Sequence, residues 1–150
     1  RGQELRGYVH DQGAALLGGV GGHAGLFGTA DDVAKMMQMY LQKGYYGGTW
    51  YLQPQAIQLF NTCNYCTEGN RRGLGFDKPQ LGKAGPTCGC VPMESFGHTG
   101  FTGTFAWADP INEIVIVFLS NRTYPSAENK LLINKLIRQR VQEVVYKAGL

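Results

Sequence analysis

The six residues Ile114 to Leu119, "IVIVFL", are apolar at every position. A strand with one face in water alternates apolar and polar residues, so a strand with no polar face must be covered on both sides. That requirement fixes the architecture around it. Upstream, "TFAWADPINE" reads as a partner strand that reverses at Asp109 to Asn112, where Asp-Pro starts the turn. Downstream, Ser126 reads as the N-cap of a long helix in which Ile133, Leu136, Ile137, Val141, Val144 and Val145 recur at helical spacing up to Gly149. A helix of this kind is expected to pack on an antiparallel sheet.

Another helix is written in "TADDVAKMMQMYLQKG". Thr29 and Asp32 form a capping-box pattern, Val33, Met36, Met37, Tyr40 and Leu41 follow on one face, and Gly44 closes the segment. Methionines at this spacing are read as core rather than as a ligand groove. A shorter helix starts at Pro54 and carries Ala56, Ile57, Leu59 and Phe60. "RRGLGFD", Arg71 to Asp77, adds a short strand. The order of helices, strands and a closing helix gives an α+β class, read as a single domain over residues 1–150.

Charge narrows the function. Fourteen basic against eleven acidic residues are scattered without a basic block, which argues against a nucleic-acid partner. No apolar stretch has the length of a membrane span, and no signal-like segment is present. The chain begins at Arg1 rather than methionine, which is read as a piece of a longer protein. "GGVGGHAG" loosely matches the dinucleotide fingerprint through Gly19, Gly21 and Ala24, but only Ala14 to Leu17 precede it where a full strand is required. It is read as a structural loop, and no cofactor is expected.

The four cysteines stand as Cys63-x-x-Cys66 and Cys88-x-Cys90. Three states fit: disulfides joining the first pair to the second, a tetrahedral zinc on four thiolates, or free thiols. Disulfides between the pairs are preferred, because bridging residues two apart needs a strained turn. In each state the cysteines tie down a loop. His10 and His23 are read as loop residues satisfying buried backbone groups.

"SFGHTGFTGT", Ser95 to Thr104, breaks its own strand with three glycines. Ser95 and His98 are three apart and point to opposite faces of an extended chain, so Ser95 is not read as a nucleophile. His98 and Gly100 share a face, and the glycine leaves an open lane beside the imidazole. The alternative is an edge strand weakened by glycine.

"GHTGFTGT" followed by "WADP" and "IVIVFLSNR", and preceded by "LGGVGGHAGLFGTADDVAKM", resembles the C-terminal half of the serine β-lactamase-like hydrolases, the superfamily of class C β-lactamases, penicillin-binding proteins and related esterases. The likeness covers the chain apart from the cysteine loop. It looks closest to a version fused behind a family-3 glycoside hydrolase in bacterial β-N-acetylhexosaminidase chains. That family joins S-x-x-K, Tyr-x-Asn or Ser-x-Asn, and K-T-G in one cleft. The resemblance implies that His98, Thr99 and Gly100 stand for K-T-G, with His98 aiding substrate binding or proton transfer, Thr99 binding substrate through its hydroxyl, and the N–H of Phe101 serving the oxyanion hole. It also implies a small-molecule or peptide substrate and a bacterial periplasmic or envelope location.

Two of the three motifs are missing. Ser95, Ser120 and Ser126 are the only serines, and Lys130 lies four residues after Ser126 rather than three. The nucleophile is therefore expected on an absent N-terminal half, the chain alone is expected to be inactive, and a homodimer through an exposed sheet edge is expected. A binding module that holds a cell-wall peptide for a fused glycosidase is the alternative.

Overall fold

The structure is a computed structural model and describes residues 4–80 and 85–149. Three strands, β3 (Phe96–Thr99), β4 (Phe105–Asp109) and β5 (Ile114–Phe118), form an antiparallel sheet in the order β3-β4-β5. The register sets Gly97 opposite Trp107, and Trp107 opposite Ile116. Alternation then sorts the side chains onto two faces. Phe96, Ala106, Ala108 and Val115 meet Val33, Met37 and Tyr40 of helix α2 (Ala30–Leu41). Phe105, Trp107 and Ile116 meet Val145 and Tyr146 of helix α5 (Ile137–Lys147). The all-apolar strand is thus covered on both sides, and the α+β class stands.

Local chemistry places these elements. The Thr29 hydroxyl accepts from Asp32 N–H and the Asp32 carboxylate accepts from Thr29 N–H, so the capping box that starts α2 is complete. Gly44, at φ +101°, ends the segment, with its N–H donating to Met39 C=O. Between β4 and β5 the Asp109 carboxylate accepts from the N–H groups of Ile111 and Asn112, from the Asn112 amide and from the Tyr146 hydroxyl. Burial alone would raise its pKa, but hydrogen bonds from Tyr146 and Asn112 outweigh burial and hold the carboxyl below its usual range.

Several expectations are corrected. The C-terminal helix does not run from Ser126: it is two pieces, α4 (Leu131–Asn134) and α5, separated at Leu136, which sits at φ +50°. Ser126 caps only a turn, accepting from Glu128 N–H, and Asn129 accepts from Leu131 N–H. Residues 71–77 make no strand; Asp77 forms single bridges to Arg72 and to Gly97. Helix α1 (Gln12–Leu16) occupies the stretch before the glycine loop, capped by Asp11. A small hairpin, β1 (Tyr45–Tyr46) and β2 (Thr49–Trp50), turns at Gly47 and Gly48, both at positive φ, as a type I′ turn requires. Helix α3 (Pro54–Asn61) begins at its proline as expected.

The cysteines pair within each motif, not between them: Cys63 with Cys66 and Cys88 with Cys90. Their Cα atoms lie 5.6 and 5.3 Å apart, inside the range a disulfide spans. Gly89, at φ +75°, folds the two-residue bridge without a Cβ clash, which removes the steric objection. Both bridges pin local turns. Among the described residues no cysteine is free, and no group of three or more His, Cys, Asp or Glu could hold a metal. None of the helices among those residues is long and apolar enough to cross a membrane.

Candidate active-site wall

Strand β3 lies at the sheet edge, and its main chain alternates between two directions. Gly100 N–H donates to Thr104 C=O on the β4 side, so the main-chain groups of Gly97 and Thr99 face outward. Those of Gly97 are taken by Asp77, at 2.8 and 3.1 Å. Beyond that bridge no strand among the described residues pairs with the edge from Thr99 onward, and the Thr99 C=O is met by the His98 ring.

Asp77 is fully buried and carries the outer anchor of β3. Arg71 Nη1 stands 2.7 Å from one carboxylate oxygen and Arg72 Nε 3.0 Å from the other. The angles are poor for hydrogen bonds, leaving both carboxylate oxygens and Arg71 Nη1 without a well-aligned one, so the contact is chiefly ionic. Next to it, Lys78 is buried and donates to Asn61 Oδ1 and Glu94 C=O, tying the end of α3 to the approach of β3. Burial pushes the Lys78 ammonium down to about 8, with Glu94 opposing. A lysine whose folded pKa lies below its unfolded value of 10.5 binds fewer protons when folded, so stability must rise as pH climbs from about 8 to 10.5. After allowance for solvent screening the gain is expected to be ~1–2 kcal/mol. It should be seen in urea midpoints across that range and be absent from Lys78→Met.

Ser95 is buried, donating to Pro92 C=O and accepting from the Trp107 indole N–H at 2.9 Å. Its hydroxyl is a structural bracket for Trp107, in line with its exclusion as a nucleophile. His98 is exposed on the α2 side of the sheet, and its Nδ1 is 2.9 Å from Thr99 C=O. A carbonyl can only accept, so Nδ1 is the donor in this contact and Nε2 is left free of it. Thr99 is half-buried, and alternation sets its side chain on the opposite face. Among the described residues the N–H of Phe101 has no hydrogen-bond partner, at the exposed tip of the β3–β4 hairpin.

The open lane beside the imidazole is filled. A Cβ on Gly100 would stand 2.1 Å from Thr104 Oγ1. Gly97 abuts Ala106 C=O and Trp107, and Gly103, at φ +109°, lies over Ser120 Oγ. Each of the three glycines is thus closely approached by another part of the chain.

A groove of about 960 Å³ opens beside the hairpin tip, lined by His10, Asp11, Phe101, Asn121 and Tyr124 among others. Of the four expected site residues only Phe101 reaches it. His10 and His23 are exposed, and their contacts are to side chains rather than to the buried backbone groups expected. His10 stacks on the Phe101 ring at 5.8 Å, and His23 Nε2 is 2.9 Å from Asp11 Oδ1. Ala14 N–H and the His23 ring hold the Asp11 carboxyl below its usual range. No sequence signal joins His10 to Phe101, because 91 positions separate them and only the fold closes that distance.

A family model described as Beta-lactamase matches residues 2–139. Proteins described as "Putative D-alanyl-D-alanine carboxypeptidase" are similar: that of Escherichia coli (strain K12) is 38% identical over 122 residues, covering 80% of this chain and 28% of the relative. The Salmonella enteritidis PT4 (strain P125109) protein of the same description is 37% identical over 127 residues, covering 83% and 29% respectively. The chain spans little more than a quarter of the length of these relatives.

Proposed function

The chain belongs to the beta-lactamase family, and on that premise we propose that it forms one wall of the active site of a serine hydrolase whose nucleophile is carried elsewhere in a longer protein. The observation that carries this reading is the hairpin: His98 and Thr99 end an edge strand, Gly100 follows, and the next residue, Phe101, is exposed and has an N–H with no partner among the described residues. A main-chain donor free in this way can face a developing oxyanion, where one such bond is worth about 3 kcal/mol. His98, through Nε2, accepts or relays a proton, and Thr99 holds substrate by its hydroxyl. The substrate is an ester, amide or lactam, with a cell-wall peptide as the class that the relatives' description supports.

None of the three serines is followed by lysine three residues on, so this chain has no candidate for the S-x-x-K nucleophile. Leu16, Val20, Leu26 and Phe27, exposed at 69–91%, form the surface on which the complementary half or a second copy would pack. The two disulfides support an oxidising location such as the bacterial periplasm or envelope. A fused family-3 glycoside hydrolase rests on the sequence resemblance alone.

The test is covalent labelling. A fluorescent penicillin or fluorophosphonate should label the longer protein and leave the 150-residue chain unlabelled. An adduct on the 150-residue chain alone would overturn the missing-nucleophile reading. A longer protein that binds cell-wall peptide but takes no label would favour the non-catalytic binding module.

A further inference from the structure

Phe101 is the exposed tip of the hairpin, yet its ring is held by two side chains from distant segments. The Arg122 guanidinium sits 4.5 Å from the ring centroid, and the His10 imidazole stacks at 5.8 Å with 27° between planes. Cation–π and stacked contacts of this kind are attractive and orient the ring. Arg122 is itself anchored. Arg122 donates from Nη1 to Ala127 C=O and Asn129 C=O, and its own N–H donates to Thr102 C=O. His10 adjoins Asp11, which is fixed by Ala14 N–H and His23.

Main-chain bonds close the turn itself. Gly103 N–H donates to Gly100 C=O, and Gly100 and Gly103 flank the turn without side chains of their own. Phe101 lies between these bonds, and the side-chain contacts that fix it are those on its ring.

We propose that His10 and Arg122 are positioning residues that clamp the Phe101 ring and thereby aim the Phe101 N–H at the reacting oxygen. The clamp rests on the hydrolase reading above for its purpose, and on these contacts alone for its existence. It joins the α1 segment, the hairpin and residues 121–129 around the mouth of the groove. Preorganised donors act only when aimed, and a misplacement of about 1 Å can cost ~100-fold in rate.

The experiment uses the full-length protein, with p-nitrophenyl butyrate turnover and amide hydrogen exchange over residues 99–104 read side by side. His10→Ala is expected to lower kcat ~10-fold and Phe101→Ala ~10- to 100-fold, with KM within about threefold. Exchange across the tip should quicken in both. His10→Phe keeps a ring and removes the nitrogens, and should restore kcat to within about threefold of the parent. Unchanged exchange in His10→Ala would overturn the clamp. So would failure of His10→Phe to rescue, which would make the imidazole itself a participant, or a rise in KM alone, which would make it a substrate contact. If the parent protein shows no turnover, the hydrolase reading fails, while the exchange arm still decides the clamp.

Discussion

Gly97→Ala is expected to destabilise the fold by ~3 kcal/mol or more, the reverse of what strand propensity predicts. In an ordinary strand interior, replacing glycine by alanine gains roughly 0.5–1 kcal/mol, because glycine loses more freedom on folding. Here the added Cβ would lie 2.1 Å from Ala106 C=O, 2.5 Å from Trp107 Cε3 and 2.8 Å from Trp107 Cα. None of these can yield easily. The indole is fully buried, tied by its N–H to Ser95, and stacked on Phe105 at 5.7 Å. Nor can the glycine back away, because both its N–H and its C=O are held by Asp77 on the outer side. Against a total stability of about 5–15 kcal/mol, a loss of this size shows as a large drop in urea midpoint. The double variant Gly97→Ala with Trp107→Leu should lose less than the sum of the singles, since the smaller side chain relieves part of the clash. A stability equal to or above the parent's would refute the close approach.

Asp77→Ala ranks next, with an expected loss of ~2–3 kcal/mol. Breaking a fully buried ion pair typically costs about 3–5 kcal/mol, because the partner charge is left stranded. The guanidiniums here are less trapped. Arg71 and Arg72 retain 30% and 57% side-chain exposure, so water can partly replace the carboxylate, and the expected cost is lowered accordingly. Asp77→Asn should lose less, since it keeps the shape and some hydrogen-bonding capacity. Equilibrium unfolding of both variants gives the comparison, and Asp77→Ala matching the parent would show the pair contributes nothing net. The same substitution should loosen the outer anchor of β3 and so the strand that carries His98, which hydrogen exchange of the Gly97 amide would report.

The elements that could be read before folding were those with a local physical cause. Thr29 and Asp32 cap a helix through atoms three residues apart, Pro54 suits a first helical turn, and Asp109 folds the turn that follows it. The sequence resemblance similarly isolated the His98 to Phe101 stretch, because a motif is a local string. Reading failed where local cues stopped short of a full element. The apolar period of residues 133–145 continues smoothly across Leu136, so nothing in the spacing reveals the left-handed residue that breaks the helix. The cysteine pairing depended on whether a two-residue bridge could close, and Gly89 permits it.

By itself, then, the order of residues determined the α+β class, the two-sided cover of the IVIVFL strand and the capped helix. Each follows from periodicity or from a hydrogen bond within a few residues. Tertiary structure alone decided that the glycines of that stretch make room for Trp107, Thr104 and Ser120, that Asp77 pins the strand from outside, and that His10 reaches Phe101. Such contacts depend on which distant surfaces the core brings together, and apolar burial on the two faces of the sheet, rather than any local pattern, sets that arrangement.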